Sequence, residues 1–313
     1  MAVDVSVPRP AAVAHAATVP VRLLLSGIVA ASFLLRFVAA LWHTTPLYFP
    51  DEYIYSGIAR SLAENGRPLI RGSSAHFPAM LEPLLAAPFW LMHDPALAYR
   101  LTQAENALAM SLAAIPVYLL VRRLGGGAWP ALAAAALTVA SPDLFFSAFL
   151  LADAIAYPLV LGAVYLGVCA LSRPTRGAQL GFAALAVLAT FARIQYVFLP
   201  LVFVAAALVV ERGSVRAVWT RFRVSVLLYV APLAFAAVLG PRRLLGYYSG
   251  VADLHVKPGE IAHWLGTDAM LLAYVVGFAF VPGAVAGIVS ALGRPRRSHS
   301  QKAGKASGRS TIR

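Results

Sequence analysis

The chain has 313 residues, of which 60% are hydrophobic and 12% charged, and its mean hydropathy is +0.75. Soluble domains carry roughly a quarter charged residues, so this composition excludes an ordinary soluble globule and predicts an all-α polytopic membrane protein. The formal charge of +13 does not point to nucleic acid, because the basic residues fall in short clusters between apolar runs and at the C-terminal end.

Residues 1–20 lack a basic region followed by a cleavage site, so they are expected to be a cytoplasmic segment ahead of an uncleaved anchor. The first of about eight apolar spans, each of roughly 20 residues, runs from Val21 to Trp42. Residues 43–98 form the first outer loop. Within it Ile54, Ile58 and Leu62 recur at helical spacing, and Asn65-Gly66 suits a left-handed C-cap. This predicts a helix over Asp51–Glu64, lying along the membrane surface with Asp51 as its N-cap. The positive end of that helix favours the ionised forms of Asp51 and Glu52. The stretch Phe77–His93 is apolar but interrupted by Glu82, Pro83 and Pro88, which predicts a second interfacial or re-entrant piece. The two pieces would form a ledge beside the first span.

Further spans are expected near Leu101–Val121, Ala128–Ser141, Ala154–Leu171, Ala178–Phe191, Ile194–Val210, Val224–Gly240 and Thr267–Leu292. Residues 293–313 are basic and rich in Ser and Gly, and are expected to be a disordered cytoplasmic tail. The single cysteine, Cys169, lies in an apolar run and excludes an intrachain disulfide framework. Placing the N-terminus inside puts Arg122 and Arg123, Arg173 and Arg176, the cluster Arg212 to Arg223 and the tail on one side. The acidic residues Asp51, Glu52, Glu82, Asp143, Asp153, Asp253 and Glu260 then face outward. The active face is therefore expected outside the cell membrane.

Several residues together carry a family resemblance. A first span with Arg36 near its outer end is followed by Pro50-Asp51-Glu52-Tyr53 and by Ala59-Arg60-Ser61-Leu62-Ala63-Glu64-Asn65-Gly66. Asn106 and Pro116-Val117-Tyr118 then lead to Arg122-Arg123, and Ser141-Pro142 precedes Asp153 at the start of another span. In order and membrane placement, residues 20 to 210 resemble the GT-C glycosyltransferases that use polyprenyl-phosphate sugars, among them protein O-mannosyltransferases and lipid A aminoarabinose transferases. The resemblance implies inverting transfer of a sugar from a lipid-phosphate donor to a glycan, lipid or protein acceptor, with Asp51 as the catalytic carboxylate. Members of the family usually continue through several more spans, so a short C-terminal half is expected to leave the donor-binding part incomplete.

The chemistry is consistent with these residue types. Inverting transfer needs a base on the acceptor hydroxyl, and a carboxylate stays ionised near neutral pH. Glu52 and Asp153 are candidates for orienting the acceptor, and Asp51 with Glu52 for sharing a divalent cation such as magnesium or manganese. Arg100, Arg193, Arg242 and Arg243 lie at outer boundaries and are candidates for the donor phosphate. Tyr247, Tyr248, His255, Lys257 and His263 are candidates for an acceptor site.

Plainer readings stand beside these. Asp51 and Asp153 equally suit helix caps, Arg193 suits a loop anchor, and Trp42, Trp219 and Trp264 suit an interfacial aromatic belt. Arg36 lies about six residues, roughly 9 Å, inside the outer end of its helix, close enough to snorkel. The rival functional classes are a transporter or flippase of lipid-linked sugars, which predicts internal repeats and charges at mid-membrane, and a non-catalytic relative of the enzymes.

Overall fold

The computed structural model describes residues 20–44, 50–74, 76–92, 94–140, 147–240, 246 and 257–276. It divides into two units, Met1–Ala252 and Asp253–Arg313. The first unit contains helices α1 (Val21–Ala40), α2 (Pro50–Asn65), α3 (Leu81–Trp90), α4 (Pro95–Leu112), α5 (Ala114–Arg123), α6 (Ala128–Val139), α7 (Asp153–Ser172), α8 (Arg176–Ala192), α9 (Leu199–Val210) and α10 (Val215–Leu239). The described part of the second is α11 (Pro258–Val276).

The first helix shows why these segments suit an apolar solvent. It buries Ser32, Arg36 and Ala40, one stripe at helical spacing, and exposes Leu23, Leu34, Leu35 and Val38. A helix with its polar stripe inward and its leucines outward is arranged for lipid. Among the described residues three helical stretches are long and apolar enough to cross a membrane: Val21–Ala40, the combined Pro95–Arg123, and Asp153–Ser172. Ala128–Val139, Arg176–Ala192 and Ile194–Val210 are apolar but shorter. Three of the about eight expected spans are thus present at spanning length among the described residues. The expected span at Val224–Gly240 is the distal part of α10, which is kinked at Phe222 (φ −118°, ψ 20°). The span expected at Thr267–Leu292 is described only to Val276, within a helix that already begins at Pro258.

The first outer loop is built much as its turn residues predict. Helix α2 opens with Pro50, whose missing N–H costs nothing in the first turn. It closes at Gly66, which takes φ +64° and donates its N–H to Leu62 O at 2.9 Å. A short hairpin follows, pairing Leu69 with Ser74 and Ile70 with Ser73. Its two turn residues, Arg71 and Gly72, both have positive φ, as a type I′ turn requires. Helix α3 packs against α2 and α4, forming the ledge.

Helix α4 starts earlier than the sequence pattern suggests. Asp94 Oδ1 accepts from the backbone N–H groups of Ala96 (2.9 Å) and Leu97 (3.2 Å), with Pro95 in the first turn. The break between α4 and α5 follows from Pro116, whose ring displaces the carbonyl four residues back and supplies no N–H to it. At the end of α5, Arg122 and Arg123 meet the negative pole of the helix.

Helices α7 and α8 form the tightest pair. A Cβ added at Gly162 would stand 2.8 Å from Leu185 Cδ1, and one at Gly181 would stand 2.8 Å from Leu166 Cδ1. Each glycine is the hole for a leucine of the other helix, the close approach that small residues allow in membranes. Beside this seam Phe182 stacks on Phe203 (4.6 Å), which meets Phe222 edge to face (5.7 Å). Alanine should be tolerated at Gly162 and Gly181, because a leucine methyl can turn aside. Leucine at either position should overfill the seam and cost about 1–3 kcal/mol, read as a lower unfolding temperature in detergent; unchanged melting of both variants would contradict the interlock.

Candidate functional site

The acidic pair that opens α2 is split by its surroundings. Asp51 is half-buried in the first turn, and among the described residues it accepts no hydrogen bond and joins no ion pair. It is not the N-cap, since the helix already begins at Pro50. Glu52 is 0% exposed. Its Oε1 accepts from Tyr99 Oη at 3.2 Å and from the Leu150 N–H at 3.1 Å. Successive helical residues project about 100° apart, which explains why one carboxylate enters the core while its neighbour does not.

The other oxygen of Glu52, Oε2, is buried and has no hydrogen-bond partner among the described residues. One oxygen of Glu52 is committed to two donors, and among the described residues no group of three or more His, Cys, Asp or Glu could hold a metal ion.

Glu52 works instead with helix α4. The segment from Ser147 to Ala152 leads into α7 and is buried. Buried backbone polar groups must be paired, and here side chains do it. Gln103 Nε2 donates to Ala148 O (2.8 Å), Asn106 Nδ2 to Phe149 O (2.9 Å), and Glu52 accepts from Leu150. Ala152 then packs in a cluster with Tyr55, Ile58 and Phe77. Two turns of α4 and the first turn of α2 thus clamp the chain just ahead of Asp153.

Asp153 stands in the first turn of α7 and forms an ion pair with Arg193, the residue that ends α8. Arg193 Nε also donates to Gln195 Oε1 at 3.4 Å, while its Nη2 has no partner among the described residues. An apolar cavity of about 390 Å³ is lined by Phe182, Thr190, Phe191, Ile194 and Tyr229, with Pro78 from the ledge. Phe191 and Ile194 place its wall directly beside Arg193.

Arg100 is committed elsewhere. Its Nη1 donates to Ala40 O (3.0 Å), His43 O (2.8 Å) and Gln103 Oε1 (2.8 Å), and its Nη2 to Leu41 O (2.9 Å). It satisfies the carbonyls that α1 leaves open at its C-terminus, so its expected role toward a phosphate gives way to a structural one. Arg36 does not snorkel: it is buried, donating to Ser32 Oγ (3.2 Å), Met110 Sδ (3.2 Å) and Val139 O (2.9 Å). Arg242, Arg243, Tyr247, Tyr248 and His255 lie outside the described residues, and Lys257 and His263 belong to the second unit.

Glu82 departs furthest from expectation. Read as an outward acid, it is 0% exposed in the first turn of α3. Burial pushes its carboxyl well above the ordinary 4.5, the negative charge of Glu105 adds to this, and the nearby Asn106 side chain opposes it. The α3 N-terminus favours the ionised form by at most ~2 kcal/mol, whereas removing a carboxylate from water costs several. Burial therefore wins. The buried polar partners Tyr99, Gln103 and Asn106 were legible only as a polar stripe on α4; their spacing of three and four residues is the signal that finds them.

No family model matches the chain, and no curated protein or solved structure does either.

The clamp makes a testable distinction. Glu52→Gln keeps an acceptor oxygen for both donors and should alter stability by less than about 1 kcal/mol, whereas Glu52→Ala strands the Leu150 N–H and the Tyr99 hydroxyl at about 1–3 kcal/mol each. Thermal unfolding of the two variants checks it, and equal melting would show that this carboxylate does not hold the segment.

Proposed function

We propose that the chain is a membrane glycosyltransferase that moves a sugar from a polyprenyl-phosphate donor to an acceptor on the outer face of the cell membrane, with inversion. The observation that carries this reading is the contrast within the acidic pair. Asp51 keeps a half-buried carboxylate free of partners among the described residues, while Glu52, one residue on, is committed to holding the fold. The ordered GT-C-like motifs give that free carboxylate its role.

In this reading the acceptor hydroxyl attacks the anomeric carbon from the face opposite the phosphate. Asp51 takes the hydroxyl proton as the new carbon–oxygen bond forms. The bond from the anomeric carbon to the phosphate oxygen breaks, and its electron pair leaves with the polyprenyl phosphate. Positive charge is needed there, and Arg193, whose Nη2 has no partner among the described residues, lies in the chain between the cavity-lining residues Phe191 and Ile194. An apolar wall beside a guanidinium suits an amphipathic donor whose lipid and phosphate must bind side by side. Asp153 is the residue that holds Arg193 in place.

Membranes carrying the full chain, incubated with a panel of radiolabelled polyprenyl-phosphate sugars, should consume one of them. Asp51→Asn should lower that rate by about 10²–10⁴-fold while leaving membrane insertion unchanged. An unaltered rate in this variant would refute the assignment.

A further inference from the structure

Beneath the ledge, the buried Glu82 of α3 feels the charge of Glu105 and the side chain of Asn106, both on α4. Both oxygens of Glu82, Oε2 of Glu105 and Oδ1 of Asn106 are buried and have no hydrogen-bond partner among the described residues. The Asn106 amide gives one N–H to Phe149 O and has a second to offer Glu82, where it opposes the rise in affinity for the proton. All four atoms are acceptors, and one amide N–H does not satisfy them, so a further donor or a counter-charge is favoured.

Among the described residues no counter-charge comes from the helices around α3, which packs against α2, α4 and α8. On α2, Arg60 pairs with Glu64 at 2.7 Å in the solvent-facing layer, and the inward acid is Glu52, bonded to Tyr99 and Leu150. On α4, Arg100 is spent on the carbonyls of residues 40 to 43, and Tyr99 is spent on Glu52. On α8, Arg176 is exposed at the first residue, and Arg193, just past the last, pairs with Asp153. The acids that remain next to Glu82 are of one sign.

We propose that Glu82 and Glu105 form a buried proton-binding site in which Glu82 carries the proton at neutral pH, and that loss of this proton unseats α3 from α2 and α4. The proton converts an acceptor-only cluster into one with a donor, since a protonated carboxyl has an O–H to give. It also removes the repulsion between two neighbouring carboxylates, which cannot both ionise easily at short range. Burial and the Glu105 charge both hold the Glu82 proton on, against a weaker effect of Asn106. The inference concerns the ledge itself and does not rest on the transfer reaction.

The consequence for stability has a definite direction. In the unfolded chain Glu82 ionises above its ordinary 4.5. The folded chain keeps the proton to higher pH, so it binds more protons than the unfolded one across that window. Stability is therefore fully present below 4.5 and is lost as pH rises, by up to about tenfold in the folding equilibrium per pH unit.

Infrared spectra of the full chain in lipid vesicles test the site directly. The wild type at neutral pH should show the carbonyl band of a protonated carboxyl, absent in Glu82→Gln and retained in Glu52→Gln. In Glu105→Gln the band should persist but vanish at lower pH than in the wild type, because one source of the raised affinity is gone. The pH slope of thermal stability should flatten in Glu82→Gln. A wild type without the band, a band unaffected by Glu82→Gln, or a band removed by Glu105→Gln would each overturn the proposal. If Glu82→Gln fails to accumulate, the Glu105→Gln titration decides alone, and an unshifted midpoint overturns it.

Discussion

Everything around the ledge depends on satisfying one irregular stretch of backbone inside an apolar surround. Residues 147 to 152 are buried and form no α-helix of their own, so their N–H and C=O groups need partners that neither a ladder nor water supplies. Helix α4 meets this need with amide side chains where a soluble helix would present leucines. Gln103 and Asn106 reach two successive carbonyls, and Glu52 reaches the next N–H. The start of α7, and with it Asp153, is thereby placed by side chains from two other elements rather than by its own local preference. A polar face on α4 is the result, turned inward because the hydrocarbon lies outward.

The same requirement sorts the carboxylates into different chemical kinds. Glu52 receives two donors and becomes a bracket. Asp153 receives a guanidinium and becomes half of an ion pair. Glu82 receives neither, and the most economical state for a fully buried carboxyl without a cation is the neutral one. Asp51 stays in the outer layer and keeps its oxygens available. Four acids on α2, α3 and α7 thus differ through their surroundings.

What the sequence made legible followed local chemistry. The α2 boundaries could be read because Pro50 and Asn65-Gly66 act on the backbone within a few residues, and the structure starts and stops the helix within one residue of the expected range. The all-helical membrane class was equally plain from composition. The start of α4 was missed although Asp94-Pro95 is a strong cap signal, since the stretch before Leu101 carries Tyr99 and Arg100 and looked like loop. The fates of Arg36, Arg100 and Glu82 were not legible. Each is decided by residues tens of positions away: Val139 for Arg36, the α1 carbonyls for Arg100, and Glu105 with Asn106 for Glu82. A charge near a helix end reads as snorkelling or solvated until its distant partners are known. Composition marks apolar segments without fixing their helix length, so the spans expected at Ala128–Ser141, Ala178–Phe191 and Ile194–Val210 correspond to shorter apolar helices.

The burial of Arg36 bears on the order of events during synthesis. Met110 and Val139, which receive its guanidinium, are made 74 and 103 residues after it. Until α4 and α6 arrive, a guanidinium on a lone helix in lipid has only water or headgroups to turn to, and its long stem can carry it to the nearer surface. The full partner set of Arg36 therefore exists only once α4 and α6 have been made.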